Sequence, residues 1–242
     1  MGAATGQKIF LGRAPADGML TTGRTLDGDG RPIPGTGFDL PPDGELADLL
    51  GRRTGAMTSH PSQAVWSAPL PAPKSDSETA RSVGIYRPGY DGPPEHYHEH
   101  SVEHFEILSG EATFAIDDRV EHVTAGETVT VETGERHTFS VGGDDLCYML
   151  VEIRSPGRLR YVLPTLGGLA HDDEMTLSDP LQQAAIAQRL DGNTEFTELD
   201  PVVGRPLRSV LAPLARLGTY RGAYDKYTRD AFWERKVEQP EL

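Results

Sequence analysis

Between about residues 79 and 156 the chain falls into short strand-like runs closed by turn signals, and this spacing limits the fold more than any other feature. The runs cover 82–86, 95–98, 104–108, 112–116, 120–123, 128–131, 137–141 and 147–153. Pro88-Gly89, Asp91-Gly92, Ser109-Gly110, Asp117-Asp118, Ala125-Gly126, Thr133-Gly134 and Gly142-Gly143 separate many of them. Such residues enter tight turns at little cost. Many short strands at about 8–12-residue spacing imply an antiparallel sandwich or barrel. The expected fold is mainly β.

The flanks read differently. Residues 1–78 are rich in Gly, Pro, Asp and Thr, and are expected to form an N-terminal extended arm. Within it, 8–11 is a strand candidate, 45–50 a brief helical turn, and the Pro-rich stretch 69–73 an extended connector. Residues 157–242 turn helical. Asp179-Pro180-Leu181-Gln182 combines an N-cap, a Pro at the first helical position and a capping-box Gln, with Gly192 as the stop. A second helix from about Pro206 carries Leu207, Val210, Leu211, Leu214 and Leu217 on one face, expected to pack on the domain. The barrel itself is assigned to 79–156.

The formal charge of −14 gives a field that repels nucleic acid and anionic membranes, so neither is an expected partner. Cys147 is the single cysteine, which excludes an internal disulfide and a Cys-rich zinc site; its apolar neighbours mark it as core. No segment reaches the roughly 18 apolar residues of a membrane span, and no secretory leader is visible. A soluble, cytoplasmic protein is the expectation.

Chemistry concentrates in the stretch from Glu95 to Glu106. Side chains two apart on a strand share a face, so His96 and His98 can address one ion. Glu103 falls on the opposite face of an unbroken strand. A turn near 99–102 restores it to the same side, at the head of a new strand whose Phe105 and Ile107 also point inward. His137, entering another strand after a tight turn, offers a fourth ligand. His100 and His104 are expected at the surface or behind the ligands, not among them.

The run His96-x-His98-x4-Glu103-x6-Gly110 resembles the first motif of the cupin superfamily, and Gly126-x5-Glu132-x-Gly134-x2-His137 resembles the second. The likeness covers roughly residues 82–153. Glu132 and Val141 stand where the second motif usually has Pro and Asn, and Tyr90 where the first usually begins with Gly. None of these is a ligand position.

The resemblance implies a double-stranded β-helix, a jelly-roll barrel, with a single divalent metal held by His96, His98, Glu103 and His137. Three imidazoles and a carboxylate suit Fe, Mn, Ni, Co, Cu or Zn without ranking them. Phe105, Ile107, Phe139, Tyr86 and Tyr90 are the candidate substrate-binding residues of a largely apolar pocket. The expected function is a metal-dependent enzyme acting on a small organic molecule, with a dioxygenase-type oxidoreductase ranked first. A Lewis-acid lyase, isomerase or cyclase comes second, and a non-catalytic binding cupin third. Barrels of this kind often pair, so a homodimer is expected.

Overall fold

The computed structural model describes residues 18–72, 78–172, 179–197 and 211–242, apart from Arg216. The strand candidate at 8–11 and the start of the second C-terminal helix, including Leu207 and Val210, lie outside those residues.

Two antiparallel sheets form the body. The larger contains β3 (Thr58–His60), β4 (Val65–Leu70), β5 (Thr79–Tyr86), β7 (Val102–Ser109), β10 (Thr128–Val131) and β12 (Cys147–Arg154), in the order β10-β7-β12-β5-β4-β3. The smaller contains β6 (His96–His98), β8 (Glu111–Ile116), β9 (Arg119–Thr124), β11 (His137–Val141) and β13 (Thr194–Phe196), in the order β13-β6-β11-β8-β9. Strands consecutive in sequence thus alternate between sheets from β5 to β8, as a double-stranded β-helix requires. The expected runs at 128–131 and 137–141 coincide with β10 and β11, and the others differ only at their ends.

Alternation sets the core. On β7, Glu103, Phe105 and Ile107 are buried, while the residues between them are half-buried. Their partners on β12 (Ile153, Val151 and Met149) share that inner face. Cys147 on the same strand is fully buried, and burial pushes its thiol up to about 11, consistent with an inert core residue. Gly92 (φ +85°) admits a close backbone approach, since a Cβ there would stand 1.7 Å from the Phe139 carbonyl oxygen. The segment leading to β6 therefore runs along β11, with Val141 N–H donating to the Tyr90 carbonyl and Thr138 Oγ1 to that of Pro93.

The sheet begins earlier than the change of composition at 79. β3 and β4 extend it from within the segment read as an arm, and Pro69 and Leu70 end β4 instead of opening a connector. The Pro-rich sequence masks a strand because Trp66, Ala68 and Leu70 bury alternate positions; pairing with β5 supplies what propensity does not. Trp66 packs edge-on against Phe38, which belongs to the small β1 (Leu20–Thr22) and β2 (Phe38–Leu40) hairpin. Helix α1 (Glu45–Gly51) forms where a helical turn was expected and buries Leu46, Leu49 and Leu50.

After β12, α2 (Leu159–Asp172) lies against β3, and α3 (Pro180–Leu190) follows. Asp179 caps α3, accepting from Leu181 N–H at 2.8 Å with Pro180 at the first turn. Gln182 does not close a capping box. Its side chain donates to the Arg221 carbonyl and accepts from the Tyr224 hydroxyl, tying down the tail. Tyr227, Phe232 and Trp233 are buried against their own chain, and a Cβ on Gly168 of α2 would meet the Tyr227 ring at 2.2 Å. The leucine stripe is a correction. Residues 211–215 are helical, yet Ala212 and Ala215 are buried while Leu214 is 50% and Leu217 84% exposed. No helix among the described residues is long and apolar enough to cross a membrane.

Candidate metal centre

β6 is only three residues long, but its alternation buries His96 and His98 and leaves Tyr97 half-exposed. Residues 99–101 carry the chain across to the other sheet, where β7 opens and places Glu103 on the inner face. His137 is the first residue of β11 and pairs directly with His96. Two sheets and three strands therefore deliver four buried side chains to one point. One ligand atom from each of His96, His98, Glu103 and His137 lies within 4.8 Å of all the others.

The orientation of the imidazoles is as informative as their proximity. Each Nδ1 is engaged away from the centre: His96 with the Pro94 carbonyl at 2.8 Å, His137 with the Glu135 carbonyl at 3.1 Å, and His98 with Thr194 Oγ1 at 2.9 Å. The two carbonyls make Nδ1 a donor in His96 and His137, and all three Nε2 atoms face inward, the orientation that metal-ligating histidines need. His137 Nε2 lies 3.1 Å from Glu103 Oε2. His98 Nε2 stands 3.3 Å from Glu103 Oε1, an ion-pair contact that leaves this fully buried nitrogen without a well-formed hydrogen bond. A buried nitrogen without a hydrogen bond is costly, and a cation among the four would relieve it. The donor set fits a first-row divalent metal.

Electrostatics agree. Burial alone would raise the Glu103 carboxyl. The hydrogen bond from His137 and the His98 imidazole outweigh it and hold the group far below the usual carboxylate range. Burial likewise acts to lower His137, but Glu103 more than offsets it and the net shift is upward. Burial, helped by the neighbouring imidazoles, lowers His96 to about 4, so it stays neutral and able to ligate.

Tyr86, Tyr90, Phe105 and Phe139 form one aromatic cluster with Phe114, with ring centroids 4.9–5.9 Å apart along the chain of contacts. Burial, with the nearby Tyr90, Cys147 and Glu103, pushes the Tyr86 phenol well above its ordinary value; burial pushes Tyr90 up to about 12. Ile107 is fully buried on the same strand face as Glu103 and Phe105. His100 is exposed, and His104 turns to Thr130 Oγ1 at 2.9 Å, so neither joins the cluster. Sequence reasoning missed Phe114, Thr194 and Phe196, whose ring lies 6.0 Å from that of His96. Phe114 was readable as an inward position of its strand. Nothing in the sequence pointed to the other two.

Fold and cluster together define a class: a double-stranded β-helix with a buried group of three imidazoles and one carboxylate. Residues 82–152 match the family model described as "Cupin domain", and the chain carries a cupin domain over that segment. No curated protein matches the sequence. Among solved structures, a predicted oxalate decarboxylase from Thermotoga maritima is similar at 24% identity, covering 37% of this chain and 79% of that one, with a TM-score of 0.34. KdgF from Halomonas sp. is similar at 11% identity (38% and 80% covered, TM-score 0.34). The Streptomyces nucleoside dehydratase Pac13 is similar at 12% identity (42% and 76% covered, TM-score 0.34). At these TM-scores the likenesses carry no argument about substrate or reaction.

Proposed function

We propose that this protein is a metal-dependent enzyme acting on a small organic molecule, with dioxygenase-type oxidation as its reaction. The observation that carries the reading is the convergence of four buried ligand atoms within 4.8 Å, with every imidazole Nδ1 turned outward. His96, His98, Glu103 and His137 would hold the ion. Bound there, a divalent transition metal supplies Lewis acidity and free coordination positions where a chelating substrate and dioxygen can meet.

The buried aromatic cluster of Phe105, Phe114 and Phe139 gives the barrel interior an apolar character that suits a small organic substrate. Tyr86 and Tyr90 keep their phenol protons at neutral pH, so they donate hydrogen bonds to substrate oxygen and do not act as bases. Glu103 is committed to imidazoles.

A second reading, a Lewis-acid lyase, isomerase or cyclase, draws support from the same two phenols, which can deliver a proton. The test is metal analysis of the purified protein, then oxygen uptake with phenolic and enolic substrates. Oxygen consumption that matches product formation supports the oxygenase. Turnover under strict anaerobiosis eliminates it in favour of the second reading. Tight ligand binding with no turnover under either condition marks a binding protein.

A further inference from the structure

We infer that Thr194 is a positioning residue of the metal centre: from a strand outside the matched cupin segment, it fixes the tautomer of His98 and thereby sets how tightly the four side chains hold a cation. The inference rests on the metal-centre reading.

β13 pairs antiparallel with β6, placing Thr194 opposite His98 and Phe196 opposite His96. Residues directly opposite each other project to the same face of a sheet, so both stand on the ligand side. A neutral imidazole carries one proton, and the nitrogen that donates leaves the other with the lone pair. His96 and His137 have their tautomers set by carbonyls two residues away, at Pro94 and Glu135, which only accept. His98 differs. Its partner is a hydroxyl, which can donate or accept, and it comes from 96 residues further along the chain.

The neighbouring contact favours one direction. Thr194 Oγ1 stands 3.4 Å from Asn193 Oδ1, an acceptor toward which the hydroxyl proton can turn, leaving the oxygen lone pair for a His98 Nδ1–H. Asn193 is itself buried and anchored, with its carbonyl accepting from Glu99 N–H and its N–H donating to the Leu190 carbonyl. His98 is only 2% exposed, so no bulk water replaces a lost partner. Without the hydroxyl the proton is free to move to Nε2, where it occupies the position of the inward lone pair.

The experiment compares wild type with Thr194→Val, which keeps size and β-branching, and Thr194→Ser, which keeps the hydroxyl. Co(II) is the probe, its affinity read by competition with a chelator; ring ¹⁵N NMR of the metal-free proteins reads the tautomers. Thr194→Val is expected to bind Co(II) about 10–100-fold more weakly. It should also shift His98 toward the Nε2–H form while His96 and His137 stay unchanged. Thr194→Ser should restore both. If Thr194→Val unfolds, Asn193→Ala replaces it, with a smaller loss expected in the same direction because the hydroxyl remains but its direction is released. A variant with wild-type affinity and tautomer, beside a His98→Ala control that loses Co(II), overturns the role of Thr194 alone. Wild type that fails to bind Co(II) overturns the metal reading, and this inference with it.

Discussion

At the metal centre three imidazoles gather around Glu103. At the seam between β3 and α2, His171 lies close enough to His60 to feel its charge, yet both turn to serines. His171 Nε2 meets Ser59 Oγ at 2.9 Å, and His60 Nδ1 meets Ser62 Oγ at 3.2 Å. The seam histidines are half-buried and those of the metal centre buried, but both groups contain a buried Nε2 without a hydrogen-bond partner, on His98 and on His60. They differ in the carboxylate. Glu103 is held by imidazoles alone. The seam's Asp172 is taken up by Lys226 at 2.7 Å, Lys236 at 2.9 Å and the Tyr227 hydroxyl at 3.1 Å. Consequently His137 is shifted upward, while burial lowers His60 and His171 to about 4. Histidine packed away from water is by itself a packing feature. A carboxylate whose partners are imidazoles, with no lysine to neutralise it, makes a place for a cation.

The largest expected effect separates the two groups outright. His98→Ala should reduce metal content, measured by plasma mass spectrometry, from about one equivalent to near none, whereas His171→Ala should leave it unchanged. Stoichiometric metal in His98→Ala would refute the ligand assignment. Next, Glu103→Gln removes the anion and should make the centre behave like the seam. Metal affinity should fall by more than the ~10–100-fold typical of outer hydrogen-bond partners, and in the metal-free protein His137 should titrate below its wild-type pKa by NMR. An unmoved His137 would show that Glu103 does not control it.

Smaller effects belong to the seam. Gly168→Ala drives a methyl into the Tyr227 ring and should cost about 1–3 kcal/mol in thermal or urea unfolding with metal content intact. Stability should also depend on acid. In the folded state His60 and His171 bind protons only near pH 4, while in the unfolded chain they do so near 6.5, so the unfolded state carries more protons in between. Their contribution is complete above about pH 6.5 and is lost as pH falls toward 4. His171→Gln should flatten that part of the urea-midpoint profile, and an unchanged slope would contradict the assignment. The smallest effect is that of His104→Ala, within about 0.5 kcal/mol and without loss of metal.

The metal centre was legible because its strands announce themselves locally. His96 and His98 share parity, Glu103 restarts it after a turn, and the fourth ligand sits at a strand entrance. β13 was not legible. Three residues after a helix stop carry no periodicity, and Thr-Glu-Phe becomes a strand only because β6 presents an edge to it. β4 was hidden by its proline, and its strand character depends on lying beside β5. The C-terminal leucines misled for the opposite reason. A regular apolar stripe promised a buried face, yet the helix packs through Ala212 and Ala215, and two leucines of the stripe point outward.

One consequence follows from where Glu103 sits. It alone among the four comes from the larger sheet; His96, His98 and His137 come from the smaller. A cation held by all four would clasp the two halves of the sandwich across their gap, and by mass action each tenfold rise in its free concentration beyond saturation would add about 1.4 kcal/mol to the cost of prising them apart. The melting temperature of this protein is then a readout of the inorganic composition of its surroundings.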